Sequence, residues 1–310
     1  LGVKPNDKIA IIVPVNQPKW HFIDIGTLQI GAQNVPLYAT LSEKDYEYVL
    51  NHSDSKYCFI AGEDIYQKVK AVQKNTQLKE VFRFDDDSDI GWNSFLELGK
   101  DESSQSEVET VKKAVKSTDI ATIIYTSGTT GTPKGVMLSH DNIVQNIKVT
   151  EDRLDLEGPG KKVISYLPVS HVFERAAGYY CQMMGFSIHF AESIEKLGDN
   201  IREVKPSMLA IVPRLLEKIF DKIVDKGSQL SGIKKKLFFW ALKLGEQYEP
   251  YQKNGAFYHF QLNIARKLIF SKWQEALGNN LEFMLSGSAP LQPRLIRIFT
   301  AAGIPVYEGY

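Results

Sequence analysis

The chain has 310 residues, 43% apolar and 24% charged, an ordinary globular composition with enough length for two packed lobes. Lysine plus arginine and aspartate plus glutamate each number 37, and that zero balance argues against a nucleic-acid binder that relies on a broad basic surface. Cys58 and Cys181 stand far apart in apolar settings, which gives no disulfide framework and no metal spacing and suits a reducing, cytoplasmic compartment; no apolar run approaches the roughly 18 residues of a membrane span, and the N-terminus has no signal-peptide form.

From residue 8 to about 84 strand-like and helix-like pieces alternate. Lys8–Val13 is an apolar run typical of a buried strand. Pro18 opens a helix carrying Trp20, Ile23, Leu28 and Ile30. Asn34–Tyr38 reads as the next strand, and Ser42 with Asp45 resembles a helix-capping start before Tyr46, Val49 and Leu50. Lys56–Ile60 and Lys79–Phe84 are further strands with a helix between. This rhythm predicts a largely parallel sheet covered by helices. Residues 85–118 are polar, with one short docked helix around Trp92, Phe95 and Leu96, and read as a partly mobile connection between lobes.

A second lobe is predicted over 119–310. Ile120–Tyr125 is a strand, a Gly/Thr loop follows, and Val136–Ser139 is another strand before a helix near Asp141. Strands at 163–165, 187–190, 208–212, 281–285 and 304–307 continue the pattern, with helices at 172–184, after Pro213 and at 291–302. Residues 226–278 break it as a helical insert: two long helices around the polar turn 249–255. Ile233, Leu237, Trp240, Ala241 and Leu244 repeat at helical spacing opposite Lys234, Lys235, Lys236 and Lys243. The expected class is therefore α/β: two lobes of mainly parallel sheet flanked by helices, the first over 1–118. The chain starts without Met and stops just after a strand-like run, so it is expected to be a segment of a longer protein.

The chemistry is concentrated in Thr126, Ser127, Gly128, Thr129, Thr130, Gly131, Thr132, Pro133, Lys134 and Gly135. Glycines leave backbone N–H groups free to turn toward an anion. Hydroxyls add donors, and Lys134 adds a compact positive charge suited to phosphate oxygens. The pattern is not the P-loop, which needs Gly-Lys-Ser/Thr before a helix. Here Pro133 replaces the second glycine and a strand follows, so the loop is expected to join two strands and grip phosphate without a helix dipole. That departure excludes a P-loop phosphohydrolase.

This ordered string resembles the phosphate-binding signature of the adenylate-forming superfamily, which includes acyl-CoA synthetases, luciferases and the adenylation domains of peptide synthetases. The resemblance covers the whole chain. Leu167–Arg175 resembles the family's second core motif, which implies an acyl- and phosphate-site role for His171 and Phe173; Arg175 stands where some members carry an aromatic gate on the acyl tunnel. The bland reading of His171 is a hydrogen-bonded structural histidine. Ser286–Leu291 resembles the turn whose backbone lies along adenine, which implicates Gly287, Ser288, Ala289 and Pro290. Tyr307–Tyr310 resembles the start of the Tyr-Gly-x-Thr-Glu motif, which assigns Gly309 and Tyr310 to the nucleotide, with Tyr310 stacking on adenine. The metal-binding Glu of that motif is not in the sequence, Glu308 is not its substitute, and no metal ligand is assigned.

The form His-Val-Phe-Glu-Arg and the lysine-rich insert resemble long-chain fatty acyl-CoA synthetases in particular. The resemblance therefore implies an acid–thiol ligase: ATP activates a long-chain fatty acid as an acyl-adenylate, and coenzyme A takes the acyl group as a thioester. Lys134 and His171 are the implied catalytic residues, with Mg²⁺ bridging the phosphates. The small C-terminal domain of relatives is absent, so these residues alone are expected to be nearly inactive. The insert is either an ordinary amphipathic helix pair or, through 233–244, a peripheral membrane patch. Two alternatives stand beside this reading. One is another acid-adenylating enzyme: a fatty acid–AMP ligase that loads a carrier protein, or an aryl- or amino-acid-activating domain. The other is a non-catalytic nucleotide- or acyl-binding module.

Overall fold

A computed structural model describes residues 1–85, 88–126, 132–154, 158–250 and 253–309. They form two compact units, Leu1–Leu156 with Pro168–Ala176, and Glu157–Leu167 with Ala177–Tyr310.

The first unit runs β1 (Lys8–Ile12), α1 (Pro18–Gln29), β2 (Gln33–Leu37), α2 (Glu43–His52), β3 (Ser55–Ile60), α3 (Glu63–Gln73) and β4 (Glu80–Arg83). It continues through α4 (Trp92–Glu97), a 3₁₀ turn at Glu102–Ser104, α5 (Gln105–Ala114), β5 (Ile120–Thr126), β6 (Lys134–Ser139) and α6 (His140–Glu151). Its sheet has the order β4-β3-β1-β2-β5-β6, parallel except for the antiparallel β5–β6 pair. β1 is central, and Ala10, Ile11 and Ile12 are sealed on both faces, which is why the strand reads as a continuous apolar run. One core cluster includes Ala10, Val35, Tyr46, Leu50 and Tyr125. Another gathers Ile9, Trp20, Phe59, Phe82, Phe84 and Val169.

Ser42 and Asp45 form the expected reciprocal capping box at the start of α2. α1 buries Trp20, Ile23, Asp24 and Thr27. The buried stripe therefore contains a carboxylate where Leu28 and Ile30 were expected to continue it.

Two expectations are corrected. Residues 105–114 form a second helix in the polar connection, where only the short one around Trp92 was expected, although none of them is buried. Val108 and Val111 recur at helical spacing and are half-buried, and Glu107 in the first turn and Lys112 and Lys113 in the last complement the helix dipole. The sheet also does not change at residue 119. β5 pairs with β2, Asn34 opposite Thr122, so the Gly/Thr loop springs from the first unit's sheet.

The second unit has β7 (Lys162–Ser165); α7 (Val172–Met183) follows, with its first residues in the first unit. Then come β8 (Ser187–Phe190), α8 (Leu197–Val204), β9 (Met208–Ile211), α9 (Pro213–Ser228), α10 (Gly232–Glu246) and α11 (Ala256–Ala265). A π-helical stretch Arg266–Phe270, α12 (Ser271–Ala276), β10 (Phe283–Ser286), α13 (Pro293–Ala301) and β11 (Val306–Glu308) complete it. The sheet order is β11-β10-β9-β7-β8, all parallel. The insert contains α10 and one nearly continuous helical run over 256–276. Arg266 and Gln274 on that run donate to the carbonyls of Ala301 and Ala302 at the end of α13.

Candidate nucleotide and acyl sites

The Gly/Thr loop is the tip of an antiparallel hairpin. Thr126 pairs with Lys134 and Tyr125 with Gly135, so Thr126 and Lys134 face each other at the loop's mouth. Cross-strand neighbours lie about 4.5–5.5 Å apart at Cβ. Thr126, Thr132 and Lys134 are exposed, and the segment after Lys134 is a strand. Ser127, Gly128, Thr129, Thr130 and Gly131 lie outside the described residues. Gly135 is fixed by packing: a Cβ there would stand 2.7 Å from Ile123 Cγ2 and 3.2 Å from the Tyr125 ring. The Tyr125 ring thus occupies the space that a side chain at 135 would need.

His171 belongs to the same unit and precedes α7. Its backbone N–H donates to Pro168 O at 2.9 Å, and its Nδ1 accepts from the Phe173 N–H at 3.1 Å. The imidazole therefore caps the helix. An Nδ1 that accepts leaves the proton on Nε2, the nitrogen that remains to donate outward. Burial pushes its pKa below the ordinary value, so the ring is neutral at physiological pH. Phe173, two positions further along, is half-buried.

Arg175 departs from the expected acyl contact. Its side chain is buried in the first unit, 2.5 Å from Asp24 Oδ1, and it also donates to Thr122 Oγ1. The guanidinium carbon lies 5.5 Å from the centre of the Trp20 ring. Asn34 Nδ2 donates to the same Asp24 oxygen at 2.6 Å, and Thr122 Oγ1 donates to Asn34 O. A planar donor fork meets a buried carboxylate, so Arg175 serves as an anchor rather than a gate. Sequence reasoning missed Asp24, Asn34 and Thr122. The available signal was Asp24 itself, because a carboxylate inside an apolar helical stripe must have a partner.

In the second unit β10 and β11 end side by side, at the strand ends where open α/β sheets bind ligands. Gly287 N donates to Ile211 O at 3.2 Å, and Gly309 N to Ser286 O at 2.7 Å. Ser288 has φ 73°, and Ser288, Ala289 and Pro290 are exposed. Small side chains leave this backbone open to close approach. The Glu308 carboxylate accepts from Leu291 N at 2.9 Å, so it holds the turn. Ser286 Oγ is fully buried beneath this turn and has no hydrogen-bond partner among the described residues. Tyr310 lies outside the described residues. Among the described residues no three His, Cys, Asp or Glu side chains could hold a metal ion, and no helix is long and apolar enough to cross a membrane.

A family description, AMP-binding enzyme, matches residues 1–310. The chain belongs to the AMP-binding enzyme family. It is 32% identical to a long-chain-fatty-acid–CoA ligase ACSBG2 of Xenopus laevis, over 96% of this chain and 42% of that protein. It is also 32% identical to fatty acyl-CoA synthetase A of Dictyostelium discoideum, over 100% of this chain and 46% of that protein. The chain thus spans less than half the length of these two relatives. Among solved structures, a long-chain-fatty-acid–CoA ligase (FadD1) from Archaeoglobus fulgidus aligns with TM-score 0.67 at 17% identity, over 99% of this chain and 52% of that one. The A-PCP didomain of carboxylic acid reductase from Segniliparus rugosus, in complex with AMP, aligns with TM-score 0.71 at 20% identity, over 99% and 43%. These alignments establish the fold of an AMP-binding enzyme: mainly parallel sheets flanked by helices.

Proposed function

We propose that this chain is the nucleotide-binding part of a longer, cytoplasmic ligase that activates a long-chain fatty acid with ATP and passes it to coenzyme A. The observation that carries the proposal is the hairpin that sets Lys134 against Thr126 at the mouth of a Gly/Thr loop. The names of the Xenopus and Dictyostelium relatives support the acid and the acceptor.

A carboxylate is a poor electrophile because its charge repels nucleophiles. In the first step its oxygen attacks the α-phosphorus of ATP, the bond from that phosphorus to the β-bridging oxygen breaks, and pyrophosphate leaves. Charge builds on the departing pyrophosphate, where Lys134, Thr126, Thr132 and the loop's N–H groups would stabilise it. Neutral His171 would donate through Nε2 to an oxygen of the acyl-phosphate group, with Phe173 beside it. The Gly287–Pro290 turn with Gly309 would receive adenine, with Tyr310 supplying a ring. Mg²⁺ would enter bound to the phosphates. In the second step the coenzyme A thiolate attacks the acyl carbon, AMP leaves, and a thioester forms.

The test is ATP–pyrophosphate exchange by the full-length protein. Exchange should require an added C12–C18 fatty acid, and the same acids should consume CoA. Exchange indifferent to these acids overturns the substrate; exchange without CoA consumption favours an AMP ligase.

The insert supports a second, peripheral role at an anionic membrane. Ala241 and Leu244 of the expected stripe are buried, but Ile233 and Phe239 are exposed around Lys234, Lys235 and Lys236. Phe257, Phe260 and Leu268 on the following helices are exposed too. Exposed aromatics among lysines suit an anionic lipid surface. Vesicles containing phosphatidylserine should retain the full-length protein, and replacing the three lysines by glutamate should release it.

A further inference from the structure

We infer that Tyr48 and His52 of α2 are positioning residues for the phosphate loop, holding both of its stems from one helix face. The inference rests on the reading of that loop as the ATP-phosphate site. Neither residue belongs to a motif that the sequence singles out.

The geometry forms a closed circuit. Tyr48 and His52 lie four residues apart, so they share a face of α2, and their rings stack at 5.4 Å and 26°. The Tyr48 hydroxyl donates to Pro133 O at 3.2 Å, one residue before Lys134. His52 Nδ1 lies 2.7 Å from the Tyr125 hydroxyl, one residue before Thr126, with the two rings edge to face at 5.7 Å. Tyr125 in turn lies across Gly135 on the opposite strand. Each end of the loop is thus tied to a side chain on one helix turn, and the two side chains brace each other.

The helix is a firm base for this. Its first turn is closed by the Ser42–Asp45 capping box, and Tyr46, Val49 and Leu50 sink into the core of the first unit. Burial pushes the Tyr125 hydroxyl up to about 12, so it stays protonated and hydrogen-bonding across the working range. Where the two stems stand decides where Thr126 and Lys134 can direct their donors. Fixing both stems reduces the ordering left for the nucleotide to impose. Tyr48 and His52 would therefore act on ATP affinity through Thr126 and Lys134, without touching the ligand.

The test uses the full-length protein and four variants: Tyr48→Phe, His52→Leu, His52→Asn and Lys134→Ala. Tyr48→Phe removes one hydroxyl and keeps the ring stack. His52→Leu removes the bond to Tyr125, while His52→Asn places an amide near the position of Nδ1. ATP and fatty-acid KM are read from ATP–pyrophosphate exchange, and Tm from thermal unfolding. Losing one neutral hydrogen bond should raise the ATP KM roughly two- to tenfold in Tyr48→Phe and His52→Leu, with the fatty-acid KM unchanged. His52→Asn should restore most of the ATP affinity. If Lys134→Ala weakens ATP while Tyr48→Phe leaves it unchanged, the brace is wrong and the phosphate loop stands. If Lys134→Ala itself leaves ATP affinity unchanged, the reading of the loop fails first. A fall in Tm with equal losses for ATP and fatty acid, or no rescue by Asn, also overturns the positioning role. Should His52→Leu fail to fold, the conservative Tyr48→Phe decides the matter alone.

Discussion

The Arg175 guanidinium stands 2.5 Å from the Asp24 carboxylate, with side-chain exposures of 3% and 0%. This pair ties the residues just after His171 to α1. Through Thr122 it also ties them to β5, the strand that ends at Thr126. The same guanidinium therefore fixes the segment of His171 against the strand that carries the Gly/Thr loop, all inside the first unit.

Arg175→Met should destabilise the full-length protein by about 3–5 kcal/mol, because it leaves a buried carboxylate without its partner. Asp24→Asn should cost a comparable amount, because it leaves a permanently charged guanidinium buried without its counter-charge. The double variant Asp24→Asn/Arg175→Met should recover part of the loss, as neither charge is then buried alone. Denaturant unfolding checks this. A loss below about 1 kcal/mol in Arg175→Met would mean that water already shares the site.

The origin of this network shows where sequence reading succeeds and where it stops. The strands of both sheets were legible because a doubly covered parallel strand is apolar on both faces, as at Ala10–Ile12. The α2 start was legible because Ser42 and Asp45 are a local signal. The loop was legible as an ordered string, and its hairpin setting followed from the β-type residues after Lys134. The sheet to which β5 belongs was not legible, because pairing with β2 is a contact across some ninety residues. The role of Arg175 was hidden for the same reason, since its partners lie on α1 and β5. α5 was missed because its periodic signal is only Val108 and Val111, half-buried among polar residues, too short a stripe to stand out from the polar connection.

His171 should show separable structural and chemical roles. His171→Asn keeps a side chain able to accept from Phe173 N and so preserves the helix start. It removes Nε2–H, so adenylation kcat should fall while Tm holds. His171→Ala should lose the cap as well, at a cost of about 1 kcal/mol. Equal Tm losses and unchanged kcat in both variants would reduce His171 to a structural cap.

Stability should fall on acidification below about pH 6.5. His21, His140 and His171 all have pKa values lowered chiefly by burial. Between each depressed value and the ordinary one, the unfolded chain binds a proton that the folded chain refuses. The stabilisation is thus complete above the ordinary histidine pKa and is lost as pH drops through the folded values. Thermal unfolding from pH 7.5 to 5 measures this, and a flat profile across that window would contradict it.

Gly135→Ala should disturb the loop from its stem. The added methyl would meet Ile123 Cγ2 at 2.7 Å and the Tyr125 ring at 3.2 Å. Overpacking of this type costs about 1–3 kcal/mol. A shift of the ring would strain its hydrogen bond to His52, so the ATP KM should rise together with the stability loss. A normal ATP KM in a destabilised Gly135→Ala protein would show that the strand pair yields elsewhere.

Glu308 should act on the turn proposed for adenine rather than on a metal. Its carboxylate accepts from Leu291 N and so spans the end of β11 and the turn that begins at Ser286. Glu308→Ala removes that bond at an exposed position, where it is worth about 1 kcal/mol, or roughly a fivefold rise in ATP KM. Glu308→Gln keeps an acceptor oxygen at the same place and should restore most of the affinity. A ligand to the catalytic Mg²⁺ would behave differently: Gln would fail as badly as Ala, and kcat would collapse while the ATP KM changed little. Steady-state exchange kinetics on the two variants, run at several Mg²⁺ concentrations, separate these roles. A kcat that recovers with added Mg²⁺ in Glu308→Ala would overturn the structural assignment.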